Sequence, residues 1–286
     1  MNKGVLVFAH NSRQIDYAKI AMVCGSLAKK NLNVPVSLAT DSSTVEWMKE
    51  SKIFKKASEI FDKIIITEPP LSNQNRTFSD GTEKIIAPFR NSNRNSVWNI
   101  TPYDRTLLID CDYFIFSDTL NNFWDVDSDI LISNKYNDVY GDDRIGYLDK
   151  FVSETSVKLL WATTVMFSKN ENTKIFFDLV EYIRENYTLF ADTYRFDNRL
   201  YRNDISFSIA RHIMYGYETD DDYALPPVLS VPDKDILYDA DETGLTFLVS
   251  QHLDKNYFAT KIKGRDIHIM NKQSITRNID KLMELA

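Results

Sequence analysis

Two aspartates interrupt the most hydrophobic stretch of the chain, residues 106–116. Burying an unpaired carboxylate is costly, so Asp110 and Asp112 require a metal ion, a paired cation or exposure at a strand end. Residues i and i+2 of a strand project to the same side, which predicts that both carboxylates converge while Cys111 faces the packed layer behind them. Oxygen ligands of this kind suit Mg²⁺ or Mn²⁺. The alternative to a metal site is a surface turn after a core strand, because the Asp-x-Asp pattern occurs frequently by chance.

A second candidate for the same chemistry lies near the end of the chain. His268 stands between two isoleucines in a short predicted strand at residues 266–270, and imidazole is a common metal ligand. Lys272 follows four residues later, where its charge could neutralise phosphate. Taken alone, His268 is better interpreted as a core histidine. Its interpretation as a ligand depends on the further ligands that Asp110 and Asp112 would need.

The elements around these residues predict an α/β fold. Strands and helices alternate as β-α-β-α-β over the first 67 residues, a pattern that predicts a parallel sheet with helices on both faces. In such sheets ligands bind at the carboxyl ends of the strands, where Asp110 and Asp112 are expected. Residues 68–99 are polar and are predicted to be irregular. The predicted strands are 4–9, 34–39, 63–67, 106–116, 129–133, 160–167, 245–249 and 266–270, and the predicted helices are 15–29, 44–48, 172–187, 203–215 and from 275 onwards.

Composition narrows the class of protein. A chain of 286 residues with 43% apolar residues is large enough to fold around its own core without disulfides. Its two cysteines exclude a disulfide framework and a zinc-finger spacing, and they indicate a reducing, cytoplasmic compartment. No stretch reaches the length of a membrane span. A net charge of −7 is unlike that of strongly basic nucleic-acid-binding proteins.

The segment Pro-Tyr-Asp-Arg-Thr-Leu-Leu-Ile-Asp-Cys-Asp-Tyr at residues 102–113 resembles the DxD segment of GT-A glycosyltransferases, especially the glycogenin-like, retaining branch. The resemblance implies a Rossmann-like nucleotide-diphospho-sugar transferase fold and one domain over residues 1–286. Residues 1–116 would form the nucleotide-sugar-binding half. Residues 117–286 would form the acceptor half, with a C-terminal loop for metal and phosphate. The implied donor is a nucleotide-sugar with UDP as its nucleotide.

The same branch has a late histidine that completes the metal site, followed by a glycine and a lysine that contact the diphosphate. His268 and Lys272 match the histidine and the lysine. The glycine is replaced by Asn271 or absent, so the loop departs from the pattern of the branch. The resemblance therefore implies that Asp110, Asp112 and His268 hold Mn²⁺ or Mg²⁺, with Lys272 on the diphosphate.

Two further blocks depart from the pattern of the branch. Its Asn-Ser-Gly-Val strand reads Trp-Ala-Thr-Thr-Val-Met-Phe at residues 161–167, where Thr163 and Thr164 occupy the region but the asparagine is missing. Its Asp-Gln pair reads Arg202-Asn203-Asp204, which shares only the aspartate. Retention of configuration requires no strong general base, whereas with inversion Asp204 is the candidate base for the acceptor hydroxyl. Asp204 is equally interpreted as a cap of the helix that it begins.

The nucleoside of the donor is expected at the ends of the first two strands, where GT-A enzymes hold it. Asp41 could bond a uracil imide or a ribose hydroxyl, and Tyr17 could stack on the base. Asn91 and Arg94 could clamp the diphosphate, since arginine suits bidentate contact with phosphate. Ordinary helix capping is the alternative for the aspartate and asparagine positions. The residues expected to contact the donor are Phe8, Ala9, His10, Asn11, Tyr17, Thr40, Asp41, Asn91, Arg94, Asp110, Cys111, Thr163, Thr164, Asn271 and Lys272.

A closer resemblance is to a group of phage-encoded proteins of this fold. It rests on Pro-Phe-Arg-Asn-Ser-Asn-Arg-Asn-Ser-Val at residues 88–97, on residues 161–167, and on Tyr-Arg-Asn-Asp-Ile-Ser-Phe-Ser-Ile-Ala at residues 201–210. Some phages add glucose or arabinose to 5-hydroxymethylcytosine in their own DNA, so the resemblance implies hydroxymethylated DNA as an acceptor. The target base would leave the stack, or be met before pairing, for its hydroxymethyl group to reach the sugar. The arginines near 195–211 and the loop at 142–144 are the places where DNA contact is expected.

Two other functions compete with glycosyl transfer. A sugar nucleotidyltransferase shares the sheet and the metal aspartates, but it typically carries a Gly-rich loop after the first strand. This chain has eight glycines and no Gly-x-Gly. A non-catalytic sugar or nucleic-acid binding module would need aromatic platforms on a basic groove, and it would have no use for a buried carboxylate pair. The sequence therefore favours a metal-dependent glycosyltransferase.

Overall fold

The structure is a computed structural model that describes residues 1–67, 75–79, 84–88, 90, 93–197, 200–216, 224–250 and 256–286. Asn91, one of the predicted donor contacts, lies outside the described residues. Within the described part of the chain, no helix has both the length and the apolar character that crossing a membrane requires.

Within the described residues, the strands form four sheets. In chain order they are β1 (Lys3–Phe8), β2 (Val36–Thr40), β3 (Lys63–Ile66), β4 (Asn75–Ser79), β5 (Lys84–Pro88), β6 (Arg105–Asp110), β7 (Tyr113–Phe114), β8 (Ile130–Ser133), β9 (Tyr136–Asp138), β10 (Trp161–Ser168), β11 (Val228–Val231), β12 (Ile236–Asp241), β13 (Gly244–Ser250), β14 (Tyr257–Ile262) and β15 (Ile267–Ile269). The described helices are α1 (Tyr17–Leu32), α2 (Ser42–Glu50), α3 (Phe54–Ile60), α4 (Val97–Ile100), α5 (Glu171–Glu185), α6 (Tyr187–Tyr194), α7 (Asn203–Met214), α8 (Lys272–Arg277) and α9 (Ile279–Leu285).

The central sheet has six strands in the order β3-β2-β1-β6-β10-β8. Strands β3, β2, β1 and β6 pair in parallel, and β10 is antiparallel to both of its neighbours. All of β2 is buried, as is β1 after Lys3. Continuous apolar runs of this kind are typical of parallel strands covered on both faces. The predicted α/β fold with a mostly parallel central sheet is confirmed.

Two of the helices that surround the central sheet, α1 and α5, begin at capping side chains. Asp16 accepts a hydrogen bond from the Lys19 amide at the start of α1, and Asn170 caps α5 in the same way. Helix α1 packs against β1 and β2, and α7 packs against β10 and α5. Because α1 and α7 contact strands near β6, they stabilise the part of the sheet that ends at Asp110.

The second sheet has the order β7-β15-β11-β9 and joins distant parts of the chain. Its strand β15 lies antiparallel to β7, with His268 opposite Tyr113. The backbone N–H of Ile269 also donates to the Asp112 carbonyl, at 3.0 Å. This pairing attaches the C-terminal segment directly behind the two aspartates.

The prediction that residues 68–99 are irregular was wrong for part of that segment. Strands β4 and β5 form an antiparallel hairpin, and the short helix α4 follows before β6. The hairpin was missed because its strands are only five residues long, and β4 carries polar residues without the apolar alternation that marks a strand. The remaining sheet is a meander of β12, β13 and β14.

Candidate active site

A tight turn brings the two aspartates together. Strand β6 ends at Asp110, Cys111 and Asp112 form the turn, and β7 begins at Tyr113 in the second sheet. The prediction of one continuous strand over residues 106–116 was therefore wrong, and so was the reason given for the convergence. The carboxylates converge because the chain turns between them, not because a straight strand projects them to one side.

The carboxylates of Asp110 and Asp112 meet the imidazole of His268 at this turn. One ligand atom from each of the three residues lies within 4.8 Å of the others. The His268 Nε2 atom is 3.2 Å from Asp112 Oδ2 and 4.0 Å from Asp110 Oδ2. Its Nδ1 atom is buried and has no hydrogen-bond partner among the residues that the structure describes. Two carboxylates and an imidazole at these distances fit a divalent cation such as Mn²⁺ or Mg²⁺.

Two basic side chains complete what we call the active-site cluster, which consists of Asp110, Asp112, His268, Lys272 and Arg94. The Lys272 Nζ atom contacts Asp112 Oδ2, and Arg94 Nη1 donates to Asp110 Oδ1 at 2.8 Å. Burial works to raise the pKa of Asp112, but the charges of Lys272 and His268 outweigh it and hold that pKa well below its usual value. Burial and the charge of Asp112 raise the pKa of Asp110, although Arg94 opposes them.

Four members of the active-site cluster, Asp110, Asp112, His268 and Lys272, line a cavity of about 440 Å³. The cavity is bounded by the ends of β1, β6 and β10, by the β4–β5 hairpin and by the start of α7 and α8. Its walls therefore combine residues from all three thirds of the chain. The lining residues are Phe8, Ala9, His10, Tyr17, Arg76, Thr77, Pro88, Arg90, Asp110, Cys111, Asp112, Asp149, Trp161, Thr163, Arg202, Asp204, Asp233, His268, Met270 and Lys272.

The residues predicted to bind the nucleoside divide into two groups. Phe8, Ala9, His10 and Tyr17 line the cavity beside the aspartates. Burial, together with the neighbouring charges of Cys111 and Asp112, raises the pKa of Tyr17 well above its usual value. This first group lies where a donor in the cavity would contact it.

The second group makes internal hydrogen bonds instead. Asn11 Oδ1 accepts from the Ala18 amide at 2.7 Å, and Thr40 Oγ1 donates to the Ala9 carbonyl at 2.6 Å. Asp41 caps α2 by accepting from the Thr44 amide at 2.7 Å. This is the helix capping that was the alternative to a nucleoside contact. These three residues support the cavity wall from behind.

The other residues predicted to contact the donor are likewise divided. Lys272 and Cys111 line the cavity. Arg94 is only 2% exposed and bonds Asp110, so it lies behind the carboxylate and away from the cavity. Asn271 is fully buried, where it caps α8 by accepting from the Ser274 amide at 2.9 Å. We assign Arg94 and Asn271 positioning roles, which replace the predicted contact with the donor.

The predicted catalytic residues lie at the start of α7. Asp204 Oδ1 accepts from the Ala162 amide at 3.1 Å, and its Oδ2 accepts from Arg202 Nη2 at 3.1 Å. Asp204 thus connects α7 to β10 rather than capping its own helix. Both Asp204 and Arg202 line the cavity, whereas Asn203 is buried as the first residue of α7. On β10, Thr163 lines the cavity and Thr164 bonds the Ser133 hydroxyl.

Several lining residues were not given a role from the sequence. Arg76 lies on β4, in the segment predicted to be irregular, and its Nη2 atom donates to the Tyr201 carbonyl at 2.8 Å. Trp161 belongs to the block at residues 161–167, in which only Thr163 and Thr164 were given a role. Asp149 and Asp233 lie in loops that carried no motif. Arg90 belongs to the phage-like block at residues 88–97, which could have indicated it, but no sequence pattern pointed to Asp149 or Asp233.

The loop at 142–144, where DNA contact was expected, holds its arginine inside the protein. Arg144 is 8% exposed and pairs with both Asp138 and Asp235. Its Nη1 atom also donates to the Ser250 carbonyl at 3.0 Å. We call Asp138, Arg144 and Asp235 the buried ion-pair cluster. Since its guanidinium is enclosed, Arg144 cannot contact a DNA backbone, and the expectation for this residue was wrong.

No protein-family model and no curated protein matches the chain. Among solved structures, the galactosyltransferase LgtC in complex with donor and acceptor sugar analogues is 14% identical, over 78% of this chain and 84% of LgtC, with a TM-score of 0.45. Mouse xyloside xylosyltransferase 1 is 12% identical over 76% of this chain and 83% of its own, also with a TM-score of 0.45. The glycosyltransferase GlyE of Streptococcus pneumoniae TIGR4 is 12% identical over 78% of this chain, with a TM-score of 0.39, and the match spans only 44% of GlyE. Because these sequence identities and TM-scores are low, the function must be inferred from the residues of the site.

Proposed function

We propose that this protein is a metal-dependent glycosyltransferase of the GT-A type, which moves a sugar from a nucleotide-sugar, with UDP as the nucleotide, to an acceptor hydroxyl. One observation carries the proposal. Asp110, Asp112 and His268 converge on one point at the wall of a cavity, with Lys272 beside them. Carboxylates grouped at the end of a parallel strand are suited to bind a cation that faces a ligand.

The donor's diphosphate would bind beside the active-site cluster. Asp110, Asp112 and His268 would hold Mn²⁺ or Mg²⁺, which supplies positive charge to the departing diphosphate. Lys272 would add positive charge where negative charge develops, because its ammonium group already lies at the cavity wall. Arg94 would orient Asp110 from behind through their 2.8 Å hydrogen bond.

In the transfer step, the bond from the sugar's anomeric carbon to the diphosphate breaks and the bond to the acceptor oxygen forms. Asp204 lies in the same cavity as the active-site cluster. With inversion, Asp204 would take the acceptor's hydroxyl proton, because each of its oxygens retains a lone pair beyond the bonds to Ala162 and Arg202. With retention, the departing diphosphate oxygen would take that proton, and Asp204 would orient the sugar.

The test is release of nucleoside diphosphate from a panel of nucleotide-sugars in the presence of Mn²⁺. Asp112→Asn should lower turnover by about a thousandfold, because a metal ligand contributes several kcal/mol to the barrier. Asp127→Asn, at an exposed position, is the matched control and should leave turnover unchanged. Full activity of Asp112→Asn with Mn²⁺ would refute the metal role.

The same assay separates the two competing functions. A nucleotidyltransferase would release pyrophosphate instead of nucleoside diphosphate. The connection from β1 to α1, residues 9–16, contains no glycine, which disfavours the phosphate-cradling loop of that class. A binding module would bind a nucleotide-sugar without turnover, and its affinity would not depend on Mn²⁺.

The acceptor implied by the phage resemblance is 5-hydroxymethylcytosine in DNA, which would receive glucose or arabinose. Incubation of a hydroxymethylated oligonucleotide with the accepted donor, followed by mass spectrometry, tests it directly. Binding to DNA should also weaken with salt, because phosphate contacts release counterions. Salt-insensitive binding, or no binding, would remove this acceptor.

A further inference from the structure

The cavity carries basic side chains at a second place besides the active-site cluster. Arg76 lies on β4 and Arg202 directly precedes α7, and both residues line the cavity. Arg76 Nη2 donates to the carbonyl of Tyr201, the residue before Arg202, at 2.8 Å. Two guanidinium groups from distant parts of the chain are thereby brought to the start of α7.

Arg202 can bond a ligand without giving up its contact inside the protein. Its Nη2 atom donates to Asp204 Oδ2 at 3.1 Å, and its Nε and Nη1 atoms make no hydrogen bond with the part of the chain that the structure describes. The side chain is 31% exposed, and the residue lines the cavity. Because a guanidinium carries five N–H donors in a planar fork, donors of Arg202 remain available to an oxygen atom in the cavity.

Arg76 adds a second positive charge next to the first. Burial lowers the pKa of Arg76, and the charge of Arg202 lowers it further, while the charge of Asp204 opposes both effects. Arginine stays protonated in proteins, so the two guanidinium groups remain charged and repel each other. A carboxylate or phosphate group bound beside them would be attracted to both and would offset that repulsion.

The two arginines lie close to the place where the metal ligands converge. Asp204, which bonds Arg202, also accepts from the Ala162 amide on β10, at 3.1 Å. Strand β10 runs antiparallel to β6, with Thr164 opposite Ile109, so the start of β10 lies beside the end of β6 at Asp110. A group bound by Arg202 would therefore lie in the same part of the cavity as the sugar and the acceptor hydroxyl.

We propose that Arg202 and Arg76 form a subsite for an anionic group, a carboxylate or a phosphate, carried by the transferred sugar or by the acceptor. The inference rests on the proposed glycosyltransferase function, in which the bound cation and Lys272 already serve the donor's diphosphate. The planar fork of arginine suits bidentate contact with either anion. A uronic acid would bring the carboxylate on the sugar, and a phosphorylated acceptor, including a DNA strand, would bring the phosphate.

The experiment measures the affinity of the full chain, with Mn²⁺ present and with UDP added for the acceptors, for pairs of substrates that differ by one anionic group. The donor pair is UDP-glucuronate and UDP-glucose. The acceptor pairs are 5-hydroxymethyl-2′-deoxycytidine with its 5′-monophosphate, and methyl glucoside with its 6-phosphate. The anionic member of at least one pair should bind about ten- to a hundredfold more tightly, the effect of one hydrogen bond between charged groups. Arg202→Gln should abolish this preference, and Arg76→Gln should reduce it. Arg202→Lys, which keeps the charge but not the fork, should recover part of the preference.

Arg211→Gln, on the same helix, is the matched control. The Arg211 guanidinium stacks on Tyr215 at 3.4 Å and lies outside the described lining of the cavity, so the preference should persist in this variant. A role of Arg202 in holding Asp204 alone would weaken both members of a pair equally and leave their ratio unchanged. The ratio therefore separates recognition of an anion from a purely structural role.

The possible outcomes distinguish this subsite from the proposed function. Equal affinity within every pair, or a preference that persists in Arg202→Gln, would overturn the anion subsite alone. An equal loss of affinity for UDP itself in Arg202→Gln would mean that Arg202 contacts the donor's diphosphate, which would overturn the subsite as well. Binding of none of the nucleotide-sugars would instead refute the proposed function.

Discussion

The active-site cluster and the buried ion-pair cluster are both built from two aspartates and basic side chains, but only the first faces a cavity. In the buried ion-pair cluster the Asp138 and Asp235 side chains are 2% and 0% exposed. In the active-site cluster, the Asp110 side chain is 22% exposed and that of Lys272 is 13% exposed. Composition alone therefore does not separate a structural ion cluster from a functional one. The two kinds of cluster are distinguished by whether their carboxylates are accessible to a ligand.

The two clusters also differ in how fully their oxygens are bonded. Arg144 bonds both aspartates, while the backbone amides of Tyr140 and Ser250 donate to Asp138 and Asp235, at 2.7 and 2.9 Å. The active-site carboxylates are instead bonded by side chains that a cation and a diphosphate could draw away. Buried polar groups that are fully bonded stabilise a unique arrangement, whereas partly bonded groups remain available for chemistry.

The largest expected effect is on folding, from Arg144→Met. The substitution leaves two buried carboxylates without a cation, so the free energy of unfolding should fall by about 3–5 kcal/mol. Urea unfolding followed by tryptophan fluorescence measures it. Arg13→Met, at an exposed arginine, should change that free energy by less than about 0.5 kcal/mol. A loss below about 1 kcal/mol for Arg144→Met would mean that the buried ion-pair cluster contributes little to the fold.

A smaller effect, this time on metal affinity, is expected from His268→Ala. Loss of one ligand should raise the Mn²⁺ concentration for half-maximal nucleoside diphosphate release by about 10–100-fold. His212→Ala is the matched control. His212 lies on α7 and is also buried, but its Nε2 atom bonds the Lys158 carbonyl at 2.9 Å. Its metal titration midpoint should not move. If His268→Ala also leaves the midpoint unchanged, His268 is a core histidine.

The smallest effect is expected at Asn271, which links the two clusters. Its Nδ2 atom donates to the Asp235 carbonyl at 2.8 Å, and Lys272 follows it on α8. Asn271→Ala should lower the free energy of unfolding by about 1–2 kcal/mol through loss of the cap and of this bond. Turnover should fall several-fold at saturating donor, because Lys272 would be less well positioned. Asn271→Asp keeps the capping oxygen and should recover part of both losses, whereas unchanged turnover in Asn271→Ala would show that the clusters are independent.

Much of the fold could be predicted because its signals are local. The apolar runs of β1 and β2 and the capped start of α1 depend on neighbouring residues, and the structure has them within a few positions of the prediction. The β4–β5 hairpin and the break after β6 were missed. Strand β7 forms by pairing with the distant strand β15, whereas the strands of the hairpin are short and β4 is polar, so they carry little periodicity of their own.

The sequence predicted that Asp110, Asp112 and His268 group together, but not which bonds the surrounding residues make. The aspartates of the DxD segment were identified because two carboxylates in an apolar run are costly without a partner. The roles of Asn11, Asp41 and Asn271 depend on which atoms they bond, and a capping side chain has the same sequence pattern as a ligand contact. Arg76 and Asp149 were not identified, because only the tertiary structure brings β4 and the segment around Asp149 to the cavity.

The sequence alone determined that a parallel α/β sheet ends at a pair of carboxylates, since strand burial and the cost of an unpaired charge are properties of a short segment. Only the tertiary structure decided that His268 and Lys272, more than 150 residues further along the chain, meet those carboxylates. The reason is the pairing of β15 with β7, a long-range contact for which no local pattern exists. Tertiary structure likewise enclosed Arg144, which stands in a polar segment, and opened Asp110, which stands in an apolar run, to a cavity.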